Sequence, residues 1–264
     1  MVDFNGKPRL GRYILTKELA PGVLGERWLA VHELDQTSHV VHWVRGAEDR
    51  PRQRRVLHAL ERASELQHPH ILPIEAFSTD NRGLPWCVTP FTGDHTGILA
   101  LDRLLRLKGG FLATGEAKRA IDQLLEASVF AHERGHRHGP LTMSEVHVDR
   151  RGSLSVELYG LAHLLCDEPA PEPERLEVNA ISRIGYQLLT GLRVELPIIR
   201  PSRVIENLDP SWDGWFENAL GEQGFASAAH AHSALQDLRV SGDAIEHSTG
   251  RVRSTIKSLI FTDR

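Results

Sequence analysis

Cysteine is scarce in this chain. Cys87 and Cys166 are the only two in 264 residues, too few for a disulfide framework and without zinc-ligand spacing, which suits a reducing compartment. No stretch approaches the ~18 consecutive apolar residues that span a bilayer, and the opening MVDFNGKPRLGR has no apolar core of a signal peptide. These absences lead us to expect a soluble, cytoplasmic protein with no membrane span. Positive charge is not in excess either. Lys and Arg number 31 against 35 Asp and Glu, a net charge of −4, which argues against a dominant nucleic-acid-binding surface. Internal repeats and low-complexity segments are missing, as is the G-x-S-x-G elbow of serine hydrolases.

What is present is globular in character, with 41% hydrophobic and 25% charged residues. The length suits one bilobal domain or two small ones. Alternating and β-branched runs predict strands at Tyr13–Leu15, Arg27–Val31, His39–Val44, Ile71–Phe77 and Trp86–Phe91. Val56, Leu60, Ala63 and Leu66 form an apolar stripe over a helix at Arg52–Leu66. After the turn-rich Gly93–Gly97 the pattern becomes helical: Ile98–Lys108, a helix opened by Thr114, Glu177–Gly191, one following Asp209-Pro210, and Ser227–Leu238. Two short runs, Glu145–Val148 and Leu154–Leu158, flank Asp149-Arg150-Arg151-Gly152 and read as a hairpin. Val252, Ile256 and Leu259 or Ile260 suggest an amphipathic helix in a tail over 241–264. The chain holds 15 histidines, clustered at His132, His136 and His138 and at His230 and His232. His132 and His136 are four apart, but Gly135 sits between them at the helix end; surface and capping roles are the better reading of the histidines, and no metal site is expected.

The order and spacing of these pieces resemble a protein kinase, most closely the bacterial relatives of eukaryotic serine/threonine kinases. His68-Pro69-His70-Ile71 is similar to the H-P-N-I turn after the kinase C-helix, and EVNAISRIGYQLLTG at Glu177–Gly191 to the central C-lobe helix. Ala170-Pro171-Glu172 matches the A-P-E motif. The resemblance implies an α+β, bilobal protein-kinase-like fold: a β-rich N-lobe over 11–92 with five strands and a C-helix, and a helical C-lobe over 93–240.

Within that frame the chemistry is missing. The H-R-D-x-K-x-x-N loop reads His138-Gly139-Pro140-Leu141-Thr142-Met143-Ser144-Glu145, and D-F-G reads Leu158-Tyr159-Gly160. Pro140 replaces the base, Thr142 the lysine, Glu145 the Mg²⁺-binding amide and Leu158 the metal-binding aspartate, while His42 replaces the phosphate-gripping lysine. His42 reads as a partly exposed strand histidine, and the C-helix glutamate falls on Ala59, with Glu61 two positions away. The glycine loop keeps Gly22 and Gly25 but begins with Ala20, and Arg27 stands where a valine packs on adenine. Thr89 matches the gatekeeper and Phe91 the hinge. Nine residues separate Gly160 from Ala170, and 163–176 contain no Ser, Thr or Tyr, so a phosphorylatable docking loop of ordinary length has no room. The arginine that partners the A-P-E glutamate falls on Gly224 or Phe225, which leaves Glu172 without it.

The resemblance therefore implies a pseudokinase, a protein-binding or regulatory module with an unknown protein partner. No catalytic residue, metal or cofactor is expected, and ATP binding should be weak or absent. Gly22, Gly25, Arg27, His42, Thr89, Phe91, Pro140, Glu145 and Leu158 line the vestigial cleft, which should be filled by apolar or bulky side chains. The alternative is a divergent nucleotide-binding phosphotransferase or nucleotidyltransferase working in the same cleft. That enzyme would need a cluster of carboxylates or cations there.

Overall fold

A buried helix organises the second half of the chain. Pro173–Thr190 (α5) starts with proline in its first turn and ends at Gly191 in the left-handed region, φ 75°. Its Val178, Ile181, Ile184 and Leu188 recur at helical spacing and are buried. Around it pack Thr114–Glu133 (α3), Ser211–Ala219 (α6) and Ala228–Gln236 (α7). Leu101–Leu107 (α2) joins the same core. Trp212, Trp215 and Phe216 of α6 are buried there, Trp215 and Phe216 edge to face at 5.0 Å. Gly185 of α5 is where α3 comes closest: a Cβ there would sit 2.5 Å from Ile121. This computed structural model describes residues 8–45, 47, 49–93, 97–167 and 171–240; the tail expected over 241–264 lies outside them.

The first half is a curled antiparallel sheet of six strands: Arg9–Leu10 (β1), Tyr13–Gly22 (β2), Gly25–His32 (β3), Ser38–Trp43 (β4), Ala76–Thr79 (β5) and Pro85–Pro90 (β6). They are ordered β1-β2-β3-β4-β6-β5. Five strands were expected. The sixth, β1, is two residues that fold back on Tyr13 and Ile14 through Gly11 at φ 57°. The strand expected over Ile71–Phe77 begins only at Ala76, because its first part serves another partner. Leu72 N–H donates to Val156 O at 2.9 Å and Val156 N–H to His70 O at 3.0 Å. The link after Arg50–Ser64 (α1) is thereby tied to the second half, at the hairpin of Val146–Val148 (β7) and Leu154–Val156 (β8).

The kinase-like frame is held by one buried carboxylate. Glu177 of α5, 1% exposed, accepts from Ser128 Oγ at 2.5 Å, His132 Nε2 at 3.1 Å, the His138 backbone N–H at 2.8 Å and the Tyr159 hydroxyl. Burial raises its pKa, but the hydrogen bond and charge of His132, the charge of His138 and the Ser128 hydroxyl outweigh this and leave it below the ordinary value. His138 and Tyr159 pack their rings at 5.1 Å, so both halves of the altered motifs converge on this residue. The surface role expected for the first histidine cluster is therefore wrong. His136 and His138 are buried and His132 nearly so, because they serve as internal donors and packing groups rather than caps.

Glu177→Ala leaves these donors buried without an acceptor and should destabilise the fold by about 3–5 kcal/mol. The measurement is a urea midpoint shift at unchanged slope, and a loss under ~1 kcal/mol would show that Glu177 is not the anchor.

Candidate functional site

The roof of the cleft is set by strand register. Arg27 on β3 pairs with His42 on β4, and His42 with Cys87 on β6, which places the Arg27 and His42 side chains on the underside of the sheet. Below lies the β7–β8 hairpin with the residue that follows it, Glu157. The Arg27 Nη1 donates to both Glu157 oxygens, at 3.1 and 3.0 Å, and its Nε to Ala20 O at 2.8 Å. The side chains are 14% and 3% exposed, so this is a buried ion pair joining roof to floor. Gly22 makes room for it, since a Cβ there would sit 2.8 Å from Arg27 Cδ.

Two histidines complete the cluster. His42 is 1% exposed, not partly exposed as its strand context suggested, and its Nε2 lies 2.9 Å from Thr89 Oγ1 and 3.9 Å from Glu157 Oε1. His147 of β7 places Nδ1 3.1 Å from Thr92 Oγ1 and Nε2 3.3 Å from Glu157 Oε1. That last contact is close enough to pull on the carboxylate but too poorly aligned to satisfy the ring nitrogen. Burial lowers the His42 pKa to about 4, against the pull of Glu157. Burial would raise Glu157, but His147, then His42 and Arg27, outweigh it and hold the carboxyl at about 2. At neutral pH Glu157 is charged and His42 is not.

Beside this cluster, apolar side chains pack together among the described residues. Leu24, at the loop tip, packs with Leu158, Leu161, Val56, Ala59 and Leu60. Leu161–Leu165 (α4), directly after the altered D-F-G, brings Leu161, Leu164 and Leu165 to the same cluster. Between Val23, Leu24, Glu145, Glu157, Leu158 and Ala162 remains a cavity of about 10 Å³, the space of roughly one water.

The cleft residues expected from sequence divide into two groups. Gly22, Arg27, His42 and Thr89 meet as a connected set. Gly25, opposite Gly22 at φ 132°, closes the hairpin. Phe91 is half-buried and faces an outer hollow with Leu29 and His39. Pro140 is exposed. Glu145 borders the small cavity and accepts from Thr142 N–H at 2.8 Å and Thr142 Oγ1 at 2.5 Å. Leu158 is buried at φ 51°. Glu61 pairs near His58 at 3.6 Å and not with His42. Glu172 finds a partner in Arg175, at 3.1 Å.

Sequence reasoning passed over Glu157 and His147 and took Thr92 only as part of the hinge. It expected apolar or bulky filling, which Leu24, Leu158 and Leu161 supply, but not the charged cluster of Arg27, His42, His147 and Glu157 beside them. An arginine in the adenine-facing position was the available signal, because a buried guanidinium requires an anion.

The shifts set a pH window. As pH falls below 6.5 the unfolded chain protonates His42, while the folded chain resists until about 4, so stability declines across that interval. Glu157 adds a second decline between 4.5 and about 2. From pH 7 to 5 the wild type should lose about 2 kcal/mol more than His42→Gln, read from urea unfolding. Equal losses would show that His42 is not buried neutral.

No protein-family model matches the chain. In sequence it is 31% identical over 162 residues to CBL-interacting protein kinase 4 of Oryza sativa subsp. japonica, covering 60% of this chain and 35% of that protein. It is 26% identical over 190 residues to CBL-interacting protein kinase 24 of the same plant, covering 68% and 40%. The chain thus spans less than half of either relative. In structure it is similar to the kinase domain of PknI from Mycobacterium tuberculosis, with a TM-score of 0.68, 20% identity, and coverage of 87% of this chain and 96% of that one. An antiparallel sheet that leads into a helical half, together with these likenesses, makes this a bilobal protein-kinase-like fold, and the chain is similar in sequence to protein kinases.

Proposed function

We propose that the chain is a pseudokinase, a protein-binding or regulatory module whose cleft takes nucleotide weakly or not at all. The observation that carries this reading is the Arg27–Glu157 pair, which fills the space between roof and floor with a self-satisfied salt bridge. A nucleotide would have to break that pair and place its phosphates near the buried Glu157 carboxylate. The replacements at Pro140, Thr142, Glu145, Leu158 and His42 support the same reading, since phosphoryl transfer needs a base, a metal and a phosphate-gripping cation. The expected lobe boundary near residue 92, the cytoplasmic setting and a bacterial origin belong to this proposal. Among the described residues no helix is long and apolar enough to cross a membrane.

The rival is a divergent phosphotransferase, favoured by relatives that are kinases by name. It also draws on the presence of charged groups in the cleft.

Calorimetry with ATP and ADP, with and without Mg²⁺ or Mn²⁺, separates the two. Losing two charged partners at ~1.5–3 kcal/mol each predicts affinity at least about a hundredfold below an intact site. We therefore expect no saturable binding at micromolar nucleotide, and no time-dependent phosphate incorporation from labelled ATP. Micromolar ATP binding in the wild type that disappears in Arg27→Val would make Arg27 a phosphate ligand and overturn the occluded-cleft reading. Incorporation abolished by Glu145→Ala would do the same for the absence of catalysis.

A further inference from the structure

Away from the cleft, on the outer side of the helical half, two helices turn chemically matched faces toward each other. Asp122 and Glu126 lie four apart on α3, and His232 and Gln236 four apart on α7, so each pair shares one helix face. The Oδ1 of Asp122 lies 2.9 Å from His232 Nε2 and 2.5 Å from Gln236 Nε2, and those two nitrogens are 3.1 Å apart. One ligand atom each from Asp122, Glu126 and His232 falls within a 4.8 Å sphere of separations.

A fourth side chain approaches from the link after α1. His70 places Nδ1 2.7 Å from Leu154 O. A carbonyl oxygen can only accept, so Nδ1 carries the proton. The Nε2 of His70 then points its lone pair toward Glu126 Oε2, 3.6 Å away, unless it takes a second proton. This is the arrangement of a metal-binding histidine: the far nitrogen is fixed by a backbone carbonyl, and the near one is bare and faces an anionic ligand. His232 presents a second imidazole to the same group. Its Nε2 and the Gln236 Nε2 both face Asp122 Oδ1, so an imidazole and an amide converge on one carboxylate oxygen.

A cation among Asp122, Glu126 and His232 would meet three ligand atoms that already lie within 4.8 Å of one another. We propose that Asp122, Glu126 and His232 form a divalent metal site, with His70 placed to close it on the Glu126 side. The donors are imidazole and carboxylate with no thiolate, which selects Zn²⁺ and its borderline neighbours over Mg²⁺ and Ca²⁺, whose ligands are all oxygen. Tetrahedral Zn²⁺ with bonds near 2.0–2.1 Å spaces its ligand atoms roughly 3.3 Å apart. The Asp122–His232 separation of 2.9 Å is near that value already. The remaining closure is a side-chain rotation at positions that are not packed tight, Asp122 being 31% and Glu126 43% exposed. The site would clamp α7 to α3 and to the link carrying His70, a structural role independent of the proposed loss of catalysis.

The test is titration of Zn²⁺ into the metal-free full chain at pH 7.5. We expect one site of micromolar affinity, undisturbed by millimolar Mg²⁺ or Ca²⁺. Asp122→Asn, Glu126→Gln and His232→Ala should each weaken it at least tenfold, while His58→Ala, an exposed histidine on α1, leaves it unchanged. Saturating Zn²⁺ should also raise the melting temperature of the wild type by ~5 °C and not that of His232→Ala. Absence of saturable binding below 100-fold micromolar Zn²⁺, or binding that survives all three substitutions, would overturn the assignment.

Discussion

A single ion pair decides what the cleft of this protein is. Arg27 and Glu157 come from opposite halves of the chain and meet only when sheet and helices are both folded. Removing two charges from water is costly, and a pair like this contributes little net stability. Its effect is on arrangement. The guanidinium also holds the loop through Ala20, and the carboxylate draws in His42 and His147. The neutral state of His42 keeps the cluster from accumulating positive charge.

The scaffold beneath rests on a separate network. Glu177 gathers Ser128, His132, His138 and Tyr159 in the helical half, and the cluster of Arg27, His42, His147 and Glu157 shares none of these residues. This separation explains how the kinase-like frame can stand while the reactive positions hold other residue types. His138, in His138-Gly139-Pro140, and Tyr159, in Leu158-Tyr159-Gly160, pack their rings edge to face at 5.1 Å. The shape depends on rings and one deep carboxylate, neither of which needs a nucleotide.

The fold was legible because its signals are local and periodic. The apolar stripe of α5, the Gly152 hairpin and the turn before Ile71 each lie within a short stretch, and each formed close to its expected place. The extra strand β1 was not legible, since two residues carry no period. Ile71–Ile74 misled because a buried apolar run looks the same whether it pairs within a sheet or reaches across to another hairpin. In the cleft, Arg27 was visible and its partner was not. Glu157 lies 130 residues away, in a hairpin whose alternation marks it only as a polar position. Histidines were the hardest to read: at neutral pH they serve as donors, acceptors or packing rings, and only the neighbours decide which.

Leu158 makes the present state hard to leave. Its backbone sits at φ 51°, a left-handed conformation that a leucine adopts at some cost and that aspartate or asparagine tolerates better. On backbone grounds, then, a carboxylate would be welcome there. Packing points the other way, because the side chain lies among Val44, Val56, Leu60 and Leu161, where a lone charge is expensive to bury. Ala59, in the same cluster, would have to become charged as well, and Arg27 and Glu157 would have to part. A carboxylate introduced at Leu158 alone would thus gain in backbone conformation and lose in burial.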